Sequence, residues 1–149
     1  MPSSIEFTDK RSALSGFVIE RTAKRMKHAC QQHLNQAGLD LTVDQWVLLQ
    51  ELHKLDGLGQ NDLARKSFKD PPTVTRIIDL LCKKGFTQRQ VAPEDRRKFN
   101  IFLTPAGKEI IQEVLPVIHQ FRQLAYKDLS DEEMDRLTVI LDRVFENLQ

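Results

Sequence analysis

The 149 residues spell out a mainly α-helical fold with one small β-hairpin, in the order α-α-α-α-β-β-α-α. Three features lead there. Apolar residues recur at three- and four-residue steps over most of the chain, and helix caps and terminal glycines punctuate that rhythm. One pair of short β-branched or aromatic runs, Phe86 to Val91 and Phe99 to Leu103, flanks a polar loop and predicts the hairpin.

Taken in chain order, Leu14, Phe17, Val18, Met26, Cys30 and Leu34 mark a long first helix from Lys10 to about Ala37, with Gly38 placed to end it. Thr42 and Gln45 then form a T-x-x-Q capping box, and Trp46, Val47, Leu49, Leu52 and Leu55 carry a second helix toward Gly57. A short third helix covers Gln60 to about Lys66 and buries Leu63 and Ala64. Asp70 before Pro71 is a strong helix start, because the carboxylate accepts a first-turn N–H and proline fits the first helical position. Val74, Ile77, Ile78 and Leu81 then share the buried face of the fourth helix, and Gly85 stops it. After the hairpin, Thr104 and Pro105 open a long helix to about Asp128, with Pro116 expected to kink it. Ser130 and Glu133 cap the last helix, where Met134, Leu137, Leu141, Val144 and Leu148 step by 3, 4, 3, 4 as in a heptad seam.

Composition narrows the function. Apolar residues at 40% and charged residues at 29% are ordinary for a globular domain. No run approaches the roughly 20 apolar residues of a membrane span, and MPSSIEFTDKRS lacks the apolar core of a signal peptide, so the cytoplasm is the expected compartment. Cys30 and Cys82 sit in predicted helices without Cys-x-x-Cys spacing and read as small buried residues. The histidines His28, His33, His53 and His119 lack tight metal spacing. No G-x-S-x-G, glycine-rich phosphate loop or H-E-x-x-H is present. Neither an enzyme nor a cofactor or metal site is expected.

Charge supplies a positive indication. From Arg65 to Lys98 there are ten basic residues against four acids, so this stretch carries +6 within a chain of net +1. Clustered Lys and Arg neutralise phosphates, the main source of nonspecific nucleic-acid affinity. The helices over Gln60–Lys66 and Asp70–Lys84 fit a helix-turn-helix whose second member enters a major groove, offering Thr73, Thr75 and Arg76 to base edges. In the loop A-P-E-D-R-R-K-F, Asp95 stands two residues before Arg97, a spacing that lets the carboxylate hold the guanidinium. Arg96, Arg97 and Lys98 make the tip basic, and an Arg held there suits a narrow minor groove.

From about Leu39 to Gly107 the chain resembles the MarR family of winged-helix regulators. The resemblance is carried by T-x-x-Q-W (Thr42, Gln45, Trp46), D-L-A (Asp62 to Ala64), T-V-T-R (Thr73 to Arg76), L-C-K-K-G (Leu81 to Gly85), D-R-R (Asp95 to Arg97) and L-T-x-x-G (Leu103, Thr104, Gly107). The chain departs from the family pattern at Pro71 and Pro72, where residues able to make polar contacts are more usual. The resemblance implies one domain over 1–149, with a winged helix-turn-helix DNA-binding lobe at 39–104 and dimerisation helices at 10–37 and 105–149. It further implies a cytoplasmic homodimer that binds double-stranded DNA at a pseudo-palindromic operator, with Arg97 in the minor groove and Asp95 bracing it. A repressor relieved by a small aromatic or phenolic effector fits the same family, and Thr22, Met26, Trp46 and Leu49 are the candidate effector contacts. The alternative is a winged-helix protein-interaction module whose DNA affinity is incidental.

Overall fold

The computed structural model describes residues 16–149. Its elements are α1 (Gly16–Gln36), α2 (Val43–Lys54), β1 (Leu58–Gly59), α3 (Gln60–Ser67), α4 (Pro71–Lys83), β2 (Thr87–Ala92), β3 (Asp95–Leu103), α5 (Pro105–Ala125) and α6 (Asp131–Asn147). The expected start of the first helix, with Leu14, lies outside the described residues. Among those residues no helix is long and apolar enough to cross a membrane.

Local chemistry sets most boundaries. Thr42 and Gln45 form a reciprocal capping box on α2, as Ser130 and Glu133 do on α6. Asp70 and Thr104 cap α4 and α5, and each of those helices opens on proline. Gly38 and Gly85 adopt positive φ where α1 and α4 end.

The core lies where α2, α4 and α5 meet the sheet. Leu48, Leu52, Ile78, Leu81, Ile101 and Ile111 are all within 1% of full burial. Leu48 stands outside the apolar set that the sequence suggests for this helix. Leu55, expected on the apolar face of the second helix, is instead 56% exposed, because α2 ends at Lys54 and Leu55 is already extended. Cys30 is buried as expected, whereas Cys82 is only half-buried, its Sγ 3.3 Å from Thr87 Oγ1.

The hairpin differs from expectation in two ways. It gains a third strand, since β1 pairs antiparallel with β3 through Leu58↔Ile101 and Gly59↔Asn100, giving the order β1-β3-β2. It is also longer, because β3 begins at Asp95 and the D-R-R-K stretch belongs to a strand. The register runs from Thr87↔Leu103 to Val91↔Phe99 and then jumps to Ala92↔Asp95. The jump leaves Arg96, Arg97 and Lys98 without partners across the ladder, a bulge that carries the basic residues of the wing.

α5 ends at Ala125, before the expected Asp128, which has φ +66°. Pro116 lies inside α5. α6 has no buried residue. Leu137, Ile140, Leu141, Val144 and Phe145 are 40–50% exposed and Leu148 83%. This stripe is wider than the heptad seam read from sequence, because Ile140 and Phe145 broaden it to a helix face.

Candidate nucleic-acid interface

The second helix of the helix-turn-helix, α4, turns Val74, Ile77, Ile78 and Leu81 into the core. Its outward residues are Pro71, Pro72, Arg76, Asp79, Leu80 and Lys83. Lys83 belongs to no base-reading motif in the sequence, although it stands seven residues after Arg76 and therefore shares its face. Leu80, 48% exposed, adds an apolar surface to the same row.

The expected base-reading trio is not uniformly available. Thr75 is half-buried: its hydroxyl donates to Pro71 O at 3.0 Å and accepts from the Gln60 side-chain amide. Thr73 Oγ1 donates to Asp70 Oδ1 at 2.6 Å, leaving it tied to its own helix cap. Arg76 is exposed and, among the described residues, held only by a 3.4 Å contact to Thr73 Oγ1. It is the least committed of the three. The first turn of α4 also has no spare backbone donor, for Pro71 and Pro72 lack N–H groups. Thr73 N–H donates to Asp70 Oδ2 and Val74 N–H to Asp70 O, each at 3.1 Å. The hydrogen bonds from the Thr73 side chain and backbone hold the Asp70 carboxyl below the usual carboxylate range.

The wing brings Asp95 and Arg97 together as the spacing suggests. Asp95 Oδ1 accepts from Arg97 N–H at 3.0 Å and from Arg97 Nε at 3.4 Å. The backbone bond is the larger reason that the Asp95 carboxyl titrates below its ordinary range. The Arg97 side chain remains 91% exposed. Behind it, a polar cleft of 560 Å³ separates the wing from the β1–α3 turn, with Arg97, Lys98, Gln60 and Asp62 in its walls.

The basic surface is smaller than a sequence count suggests. Arg65, Lys69, Lys84, Arg89 and Arg97 pair with Asp62, Asp44, Asp40, Asp79 and Asp95 respectively. Three of those acids lie outside the Arg65–Lys98 stretch, so its formal +6 overstates the local field. Lys66, Arg76, Lys83, Arg96 and Lys98 make no ion pair among the described residues.

The four candidate effector contacts separate into two pairs. Thr22 and Met26 line a groove of 510 Å³ between α1 and α5, together with Arg21, Arg25, Phe121 and Leu124. Trp46 and Leu49 do not line it; at 4% and 0% exposure they are core. Helical spacing alone does not distinguish a pocket wall from packing.

Residues 41–99 match the MarR family. The HTH-type transcriptional repressor YetL of Bacillus subtilis is 31% identical over 128 residues, which are 85% of this chain and 75% of that protein. The chain belongs to the MarR family. Its fold is accordingly a winged helix, and solved structures agree with it over nearly the same span. The S. aureus MepR–DNA complex matches with TM-score 0.81 and 29% identity, covering 89% of this MarR-family chain and 96% of that one. Bordetella bronchiseptica BpsR, described with regulation of its DNA binding by 6-hydroxynicotinic acid, matches at TM-score 0.78 and 26% identity. That match covers 87% of this chain and 96% of BpsR.

Proposed function

We propose that this MarR-family protein is a sequence-specific, double-stranded DNA-binding transcriptional regulator, acting without enzymatic activity as a cytoplasmic homodimer on a pseudo-palindromic operator. The observation that carries the reading is the outward row of α4, centred on Arg76, together with the basic wing bulge Arg96–Lys98. The MepR complex with DNA supports that reading at 29% identity. Each protomer contributes one α4 to a major groove, and a two-fold dimer places the two roughly 34 Å apart. The terminal segments, 10–37 and 105–149, form the dimer, and 39–104 form the lobe that meets DNA.

Regulation follows the YetL and BpsR examples: the protein is a repressor released by a small aromatic effector. The α1–α5 groove supports an aromatic carboxylate in particular, because Arg21 and Arg25 stand beside apolar walls formed by Met26, Phe121 and Leu124. Such a ligand acts only if it binds the DNA-competent and DNA-incompetent arrangements with different affinity.

Selection of bound duplexes from a random pool, followed by titration against salt, tests the reading. One enriched sequence with a steep salt slope is expected. Weak, sequence-indifferent binding would point to the protein-interaction module instead. With the selected duplex in hand, Arg76→Ala is expected to cost about 1–3 kcal/mol on that sequence and less on a scrambled one. Equal loss on both would move Arg76 to a phosphate contact.

Two wing variants have opposite readings under charge and geometry. Arg97→Ala should lower duplex affinity and flatten the salt slope by about one unit. Asp95→Ala raises the net positive charge, so charge alone requires tighter binding. A bracing carboxylate requires the reverse, since a released Arg97 loses rotamer freedom when DNA orders it. With the melting temperature unchanged, tighter binding by Asp95→Ala would remove the bracing role.

A further inference from the structure

The recognition helix α4 is tied at both ends to the first turn of one other helix, α2. Just before its cap, Lys69 Nζ lies 2.7 Å from Asp44 Oδ1, with the lysine side chain only 18% exposed. At its other end, Lys84 Nζ donates to Gln45 Oε1 at 2.9 Å and to the Asp40 carbonyl at 2.8 Å. Asp44 and Gln45 are consecutive, so both ties converge on one turn. Gln45 is itself buried and completes the α2 capping box, which makes that turn a firm support. The Asp44 carboxylate also takes Lys27 Nζ of α1, at 3.0 and 3.1 Å from its two oxygens. One carboxylate thereby joins a terminal helix to the start of α4.

We propose that Asp44 is a positioning residue for sequence reading: by holding Lys27 and Lys69 together, it transmits the placement of α1 to the first turns of α4. The proposal rests on the DNA-binding reading above and deepens it. Asp44 needs no contact with DNA, and Lys69 serves the tie in place of a phosphate. Partial burial by itself would push the Asp44 carboxyl up, yet the two ammonium groups outweigh it and hold the carboxyl below its usual range. Partly exposed ion pairs contribute little to global stability. The effect of breaking this one therefore falls on the angle of α4, with the melting temperature nearly unchanged.

Charge and positioning predict opposite signs. Asp44→Asn removes a negative charge, so charge alone requires tighter binding to every duplex. Positioning requires a loss of about tenfold on the selected duplex, with affinity for a scrambled duplex unchanged or higher. Lys69→Met should lose selectivity to the same extent, and the double variant should be no worse than either single one. Unchanged or tighter binding of Asp44→Asn to the selected duplex would overturn the proposal. Additive losses would also overturn it, because Lys69 would then act on DNA by itself. Amide hydrogen exchange gives a readout without DNA. The first two turns of α4 should exchange faster in Asp44→Asn than in the parent, and equal exchange would overturn the tie. Should the parent protein select no sequence at all, the DNA-reading function fails at that step, and exchange still decides whether Asp44 anchors the helix.

Discussion

Gly107→Ala is expected to destabilise the protein by about 1–3 kcal/mol, although alanine is the better helix former. Propensity alone would favour alanine within a helix by about 1 kcal/mol. The site forbids it. A Cβ built on Gly107 would lie 2.0 Å from the backbone oxygen of Phe86, which no side-chain rotation can relieve. Either α5 or the segment after α4 must move, and overpacking of this kind costs about 1–3 kcal/mol, occasionally more. The contact also serves a joint. Thr104 N–H donates to Phe86 O at 3.1 Å, Thr104 Oγ1 donates to Gly85 O at 2.5 Å, and Gly107 N–H donates to Thr104 Oγ1 at 3.0 Å. A thermal or urea melt checks the expectation. A midpoint equal to or above that of the parent would show that the joint yields without cost.

Replacing Leu141 and Val144 together by Asp is expected to abolish the dimer. Both residues are 40% exposed in the single chain and stand in the apolar stripe of α6. A two-fold interface there would bury four carboxylates among like charges, and each uncompensated buried charge costs several kcal/mol. Sedimentation should show a folded monomer or, if the protomer depends on its partner, an unfolded chain. A folded dimer of unchanged mass would mean that this face of α6 is not the interface.

Features encoded by neighbouring residues are legible in the sequence itself. Thr42 with Gln45, Ser130 with Glu133, and Asp70 with Pro71 each fix a helix start within four residues, and all three appear where expected. Asp95 and Arg97 are legible for the same reason. Long-range partners are not. Lys69 and Lys84 read as part of a DNA-facing cluster because Asp44 and Gln45 lie 25 and 39 residues earlier in the chain. β1 leaves no sequence signal because two residues, Leu58 and Gly59, have no periodicity, and only β3 makes them a strand. Leu48 and Leu55 exchange roles because a helix ending at Lys54 leaves Leu55 no helical face to share. For Trp46 and Leu49, an apolar residue beside a cavity and one within the core have the same pattern.

The capped start of α4 bears on the thermodynamics of DNA association. Asp70, Pro71 and Pro72 complete the first turn from the chain's own atoms, so the helix is formed before any target is present. A segment that folds on its target gives up conformational entropy at that moment and adds a large negative heat capacity to the binding reaction. That contribution from α4 is therefore expected to be missing, leaving the heat capacity of association to surface burial and to the wing. The same closed turn offers no amide to a phosphodiester, so with α4 seated in a groove as proposed, its register there falls to side chains and to the helices that carry it.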